Sequence, residues 1–80
     1  MNTYKASNIP LKTMIWFLEH QGLKQINIEG GHAKYTRSDL RRPITIQTHI
    51  CPVPEFIVLQ IFRHLSFTKK SFHQYVQKHY

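Results

Sequence analysis

The sequence has few of the residues from which many kinds of site are built. It contains one cysteine, Cys51, which excludes an internal disulfide and indicates a reducing compartment. Six histidines are present, but neither a CxxC nor an HxxxH spacing occurs, so we expect no zinc site and no other cofactor. No apolar run approaches the roughly 20 residues that cross a bilayer, and no apolar signal segment opens the chain. We therefore expect a cytoplasmic protein without a membrane partner.

Acidic residues are also scarce. Four Asp and Glu stand against eleven Lys and Arg, a formal net charge of +7. Such an excess favours a polyanionic partner such as nucleic acid, although a basic but otherwise ordinary surface is the alternative. Much of the charge lies near one loop, at Arg37, Arg41 and Arg42. The 80 residues predict a single domain, 1–80, with one small core.

Glycine occurs only three times, and two of the three are adjacent, at Gly30 and Gly31. They separate two runs of alternating character, Lys24–Glu29 and His32–Arg37, which predicts a tight β-hairpin because primed turns need positive φ. The register then pairs Glu29 with His32, Asn27 with Lys34, Ile28 with Ala33, and Ile26 with Tyr35. The apolar members share the core face, and the polar face carries Gln25, Asn27, Glu29, His32, Lys34 and Thr36. His32 is thereby predicted on the solvent side, opposite a carboxylate.

A third strand is predicted over residues 43–49, which alternate with Ile44 and Ile46 inward. If it pairs antiparallel with the second strand, the register that matches Tyr35 with Ile46 also sets His32 opposite His49. A slip of two residues would leave the two histidines as diagonal neighbours.

Three helices complete the prediction. Ser7 or Asn8 caps the first, Pro54 opens the second, and Thr68 caps a last short helix. The order α-β-β-β-α-α predicts an α+β fold with the helices on one face of a three-stranded antiparallel sheet. Residues 1–6 are expected to form a tail outside a core of about residues 9–76. Trp16 falls opposite the apolar stripe of the first helix, either as a partner contact or stacking platform, or covered by a folded tail.

Several short motifs occur in a fixed order along the chain. They are Phe17-Leu18-Glu19 before Gly22-Leu23, Gly30-Gly31-His32 followed by Tyr35, Arg41-Arg42 before Ile44-Thr45-Ile46 and His49, then Pro54 and Phe72. Over about residues 9–76 this pattern resembles the HicA family of small toxins, whose fold is similar to that of double-stranded RNA-binding domains. That family often has Gly-Ser-His followed by a second histidine, where this chain has Gly31 and Ala33.

The resemblance implies a function and a partner. The protein would be the toxin of a type II toxin-antitoxin system acting in a stress response, an endoribonuclease that cuts mRNA and is neutralised by a HicB-type antitoxin. Its catalytic histidine would be His32. Spacing alone describes His32 only as a solvated turn residue, and the resemblance makes it the candidate.

RNA can be cut without a metal because its 2′-hydroxyl attacks the adjacent phosphorus once a base removes the proton. The protein must supply a proton acceptor, a donor for the leaving 5′-oxygen, and positive charge. We predict His32 as the main acid or base, with Glu29 as a supporting residue. His49 is a second supporting residue, as a proton-transfer group or a phosphate ligand, or else a strand-end residue that transfers no proton. Four cationic residues are predicted to bind RNA: Lys34, Arg37, Arg41 and Arg42.

Four histidines on the helices are assigned no chemistry: His20, His64, His73 and His79. The alternative function is a non-catalytic RNA-binding module of the same fold, in which His32 only contacts the RNA. A pure protein-interaction module would leave the basic open face of the sheet unexplained.

Overall fold

The computed structural model describes residues 5–80, and within them it contains three helices and three strands. Their bounds are α1 Leu11–His20, β1 Lys24–Glu29, β2 His32–Thr36, β3 Ile44–Gln47, α2 Glu55–Leu65 and α3 Lys69–His79. The strands form one antiparallel sheet in the order β1-β2-β3, so β1 and β3 are its edges. The α+β class and the predicted order of elements are confirmed.

The hairpin turns where the two glycines predict it. Gly30 and Gly31 have φ of 57° and 81°, both in the left-handed region that favours glycine. The three predicted pairs nearest the turn are confirmed: Glu29 with His32, Ile28 with Ala33, and Asn27 with Lys34. The turn therefore determines the first part of the β1–β2 register.

Further from the turn the predicted β1–β2 register is wrong. A bulge between Gln25 and Asn27 places Gln25, and not Ile26, opposite Tyr35. The Tyr35 hydroxyl donates a hydrogen bond to Gln25 Oε1 at 3.3 Å. Gln25 thus pairs with a residue of the core face, whereas regular alternation had placed it on the polar face.

The register of β2 with β3 is not the one that matches Tyr35 with Ile46 but the stated alternative, slipped by two residues. Tyr35 pairs with Ile44 and His32 with Gln47, so His32 is not opposite His49. A two-residue slip keeps every side chain on its predicted face because the side-chain period of a strand is two. Thr48 stabilises the observed register, because its amide and its hydroxyl both donate hydrogen bonds to the Gly31 carbonyl, at 2.7 and 3.0 Å.

The core lies between the helices and one face of the sheet. Its residues in the helices and strands are buried: Met14, Phe17, Leu18, Ala33, Tyr35, Ile44, Ile46, Val58, Ile61, Phe62, Leu65 and Phe72. Helix α3 joins this core through Phe72, whose ring centroid lies 4.8 Å from that of Phe17 and 4.9 Å from that of Phe62. The side chains of His32, Lys34 and Thr45 alternate with the buried strand residues and face away from the core.

Strand β1 contributes less to this core than the hairpin pattern predicts. Ile26 and Ile28 are 54% and 60% exposed, although both were expected to be inside. All six residues of β1 are exposed, whereas Ala33, the partner of Ile28, is buried. The expectation is wrong because β1 is an edge strand that the helices leave uncovered.

Two residues that precede α1, Ala6 and Ile9, belong to the buried core. Residues 1–4 of the predicted tail lie outside the described residues, but Ala6 is fully buried. The Ile9 carbonyl accepts a hydrogen bond from the Val53 amide at 2.9 Å. The expected cap at Ser7 or Asn8 is wrong, because α1 begins at Leu11 with Pro10 in the capping position and no side-chain cap. The cap predicted at Thr68 is confirmed as a capping box with Ser71.

Trp16 is half-buried under the C-terminal helix. Its ring stacks on His20 with centroids 4.9 Å apart, and the Tyr80 ring lies 4.8 Å away. The cover over Trp16 comes from α3 and Tyr80, and not from the N-terminal tail that was the predicted alternative to a partner contact. None of the helices described over residues 5–80 is both long and apolar enough to cross a membrane.

Candidate active site

A groove of about 310 Å³ runs along the free edge of β3, between that strand and α2. Its lining combines an apolar floor with polar side chains: His32, Pro43, Ile44, Thr45, Gln47, Phe56, Ile57, Gln60, Ile61 and His64. His32 reaches the groove from β2, where it pairs with Gln47. We call this cavity the edge groove. It brings together residues from the hairpin, from β3 and from α2.

His32 is the first residue of β2 and follows directly on the turn. Its side chain is exposed, on the solvent side as predicted. The ring Nδ1 lies 3.2 Å from the Gly30 carbonyl oxygen. Because a carbonyl oxygen can only accept, Nδ1 carries the hydrogen in this contact, and Nε2 of the neutral ring keeps its lone pair. The turn thus selects the tautomer in which Nε2 can take a proton from a substrate.

The two predicted supporting residues, Glu29 and His49, occupy different positions relative to His32. Glu29 is its ladder partner, but within residues 5–80 the one salt bridge is Arg37–Asp39, and no hydrogen bond joins Glu29 to His32. His49 lies against the turn, such that a Cβ at residue 31 would be 2.7 Å from His49 Nδ1. His49 is not among the residues that line the edge groove.

The packing of His49 on Gly31 predicts a difference between two alanine variants. Gly30→Ala places its methyl group in open space and is opposed only by its positive φ, at a cost of about 1 kcal/mol. Gly31→Ala has the same backbone cost and must also turn the exposed His49 ring aside, so we expect it to lose somewhat more, about 1–2 kcal/mol. Urea denaturation of both variants measures the two losses. Equal losses would show that the ring does not occupy this position.

Arg37 is engaged within the fold. Its Nε and Nη2 donate to the Asp39 carboxylate at 2.5 and 3.0 Å, and its Nη1 donates to the Gln21 carbonyl at 2.7 Å. The bidentate contact lowers the pKa of Asp39 and raises that of Arg37. Arg37 therefore ties the loop between β2 and β3 to the end of α1.

Among residues 5–80, no side-chain hydrogen bond or salt bridge engages the other predicted cations. Arg41 and Arg42 line a shallow depression of about 500 Å³ together with Arg63 and His64. His64 lines both cavities, so the depression and the edge groove adjoin the same side chain. Lys34 is exposed two residues after His32 and pairs with Thr45, so it lies on the open face of the sheet.

Two members of this surface, His64 and Arg63, were not predicted from the sequence. The signal was available on α2, where Ile57, Ile61 and His64 follow one another at spacings of four and three and so share one helix face. The predicted α2 stripe ends at Leu65, and no chemistry was predicted for His64. Helical spacing gives the helix face of His64, and the packing of α2 beside β3 brings that face to the groove.

Comparison of the chain with protein-family models, with curated proteins and with solved structures finds no match.

Within residues 5–80, no three His, Cys, Asp or Glu side chains are grouped so that they could hold a metal ion. Burial raises the pKa of the Tyr35 hydroxyl, and the charge of Glu19 adds to that shift.

Proposed function

We propose that this protein is an endoribonuclease that cuts mRNA, with His32 as the general base, and that it acts as the toxin of a type II toxin-antitoxin system. The observation that carries the proposal is the geometry of His32. Its ring is exposed after the glycine turn, Nδ1 is held by the Gly30 carbonyl, and Nε2 is free. A base presented in this way can reach a ribose hydroxyl.

The reaction follows from this position. His32 Nε2 takes the proton of a ribose 2′-hydroxyl, the 2′-oxygen forms a bond to the adjacent phosphorus, and the bond from phosphorus to the 5′-oxygen breaks. The charge that develops on the phosphoryl oxygens is stabilised by nearby cations, for which Arg41 and Arg42 are candidates. The chemistry uses the RNA's own hydroxyl as nucleophile, so no group beyond the side chains is invoked.

The fold and the details of the turn support membership of the HicA family. Helices packed on one face of a three-stranded antiparallel sheet are compatible with the double-stranded RNA-binding-domain-like fold of that family. Ala33, at the position where the family often carries a second histidine, is buried and pairs with Ile46. Its side chain faces the core, so its identity does not change the surface around His32. A HicB-type antitoxin is then the proposed partner.

Expression in bacteria tests the proposed function. Induction of the wild-type chain is expected to arrest growth with loss of mRNA, and His32→Ala, produced at the same level, is expected to relieve both effects. Arrest without loss of mRNA would contradict the nuclease activity. RNA binding by the purified protein without cleavage would assign it to the alternative class, a non-catalytic RNA-binding module.

Removing the cations beside the groove is expected to weaken RNA binding and its salt dependence. For the variant with alanine at Lys34, Arg41 and Arg42, the slope of log affinity against log salt should become shallower by up to about 2, since each lost phosphate contact removes about 0.7 with single strands. Fluorescence anisotropy with a labelled RNA oligonucleotide at several salt concentrations measures this slope.

The matched control removes the same charge from helix surfaces outside the groove, by alanine at Lys12, Lys70 and Lys78. It should leave the slope close to that of the wild type. Equal changes in the two triple variants would mean that the basic charge acts diffusely. No change in the first variant would remove these three residues from the RNA-binding surface.

A further inference from the structure

The edge groove contains a second imidazole that the proposed reaction can use. His64 of α2 lines the same cavity as His32 of β2, so the two rings border one space from two different elements. The His64 side chain is exposed, and within residues 5–80 its ring makes no hydrogen bond to the protein. Both of its nitrogens are therefore available to a bound substrate.

We propose that His64 is the general acid of the site, donating a proton to the leaving 5′-oxygen of the RNA. The inference depends on the ribonuclease function proposed above and adds a residue to it. In the step, His32 Nε2 gains the 2′-hydroxyl proton while protonated His64 gives one proton to the 5′-oxygen. The products are a 2′,3′-cyclic phosphate and a 5′-hydroxyl, and the number of protons on the protein is unchanged.

The size and lining of the groove fit one unpaired nucleotide. A volume of about 310 Å³ is at the small end of the roughly 300–1,000 Å³ of small-molecule sites, too small for a duplex. Phe56 is 70% exposed at the rim, where its ring can stack on a base. The amides of Gln47 and Gln60 can each donate to and accept from a base edge. The substrate class is thus single-stranded RNA.

The position of His64 also gives the strand a direction. The leaving 5′-oxygen belongs to the nucleotide on the 3′ side of the cut, and His64 is shared with the depression that contains Arg41, Arg42 and Arg63. The 3′ portion of the RNA would therefore leave the groove over these three arginines, which can contact its phosphates. The nucleotide that supplies the 2′-hydroxyl lies on the side of His32.

A sulfur-substituted substrate separates a general acid from a residue that only binds RNA. In an oligonucleotide with sulfur in place of the bridging 5′-oxygen, the leaving thiolate needs no proton. His64→Ala should cut the ordinary oligonucleotide about 100-fold or more slowly than the wild type, but cut the sulfur substrate at nearly the wild-type rate. His32→Ala should be slow on both, because the 2′-hydroxyl must still lose its proton.

Three further variants complete the experiment. His64→Gln keeps a polar side chain without an acid and should behave as His64→Ala, and His79→Ala, on α3 and outside the groove, should behave as the wild type. His49→Ala should lose less activity than His64→Ala, because His49 does not line the groove. Thermal unfolding of each variant establishes that it is folded.

The outcomes distinguish the two proposals. Equal losses on both substrates in His64→Ala would overturn the role of general acid, and so would a wild-type rate on the ordinary oligonucleotide; in either case His32 would stand as the base. A larger loss in His49→Ala would also overturn it. A wild-type protein that cuts neither substrate would overturn the ribonuclease function itself.

Discussion

His32→Ala is expected to lower the rate of RNA cleavage by about 10²–10⁴-fold, the usual contribution of a group that transfers a proton in the transition state. The loss arises because the variant lacks the imidazole whose Nδ1 is held by the Gly30 carbonyl and whose Nε2 faces the substrate in the proposed reaction. The measurement is single-turnover cleavage of a labelled oligonucleotide at saturating enzyme, which isolates the chemical step from binding.

The variant should remain folded, because the His32 side chain is exposed and its one hydrogen bond is to its own turn. Its melting temperature and RNA affinity should therefore stay close to those of the wild type. The matched control is His79→Ala, which removes a different exposed histidine and should cleave RNA at the wild-type rate. Cleavage at the wild-type rate by folded His32→Ala would show that another group is the base.

Phe17→Ala is expected to be the most damaging substitution for stability, with a loss of about 3–5 kcal/mol of unfolding free energy. Phe17 is fully buried, and its ring meets those of Phe67 and Phe72 edge-to-face at 4.9 and 4.8 Å. These contacts join α1 to α3 and to the segment between α2 and α3. A loss of this size is a large part of the 5–15 kcal/mol typical of a whole domain.

Urea denaturation of Phe17→Ala and Phe56→Ala measures this effect against a matched control. Phe56 is the same residue type but 70% exposed, so its truncation should change stability by no more than about 0.5 kcal/mol. Comparable losses in the two variants would contradict the position of Phe17 at the centre of the core. A lower melting temperature together with loss of helical signal would indicate that α3 detaches.

The elements were predictable from the sequence because their signals are local. Two adjacent glycines specify where the hairpin turns, and Thr68 marks the start of α3 through its capping contact with Ser71. The solvent-facing position of His32 followed from the same turn, since residues next to a two-residue loop have a determined pairing. These features depend on neighbours within a few residues, which sequence patterns describe well.

The register errors arose where alternation alone cannot decide. A shift of two residues between β2 and β3 keeps Ile44 and Ile46 inward in either register, and the observed one depends on the bonds from Thr48 to Gly31. The bulge between Gln25 and Asn27 likewise cannot be predicted from the pattern of apolar residues. His64 belongs to the site because α2 packs beside β3, and this contact joins parts of the chain that are distant in sequence.

An oligonucleotide that contains a single ribose in an otherwise 2′-deoxy strand tests whether His32 activates a ribose 2′-hydroxyl. We expect one cut, directly after that ribose, with a 2′,3′-cyclic phosphate on one product and a 5′-hydroxyl on the other, identified by mass spectrometry, and no cut with His32→Ala. Cleavage of the fully 2′-deoxy strand, or products with a 5′-phosphate, would contradict this role of His32.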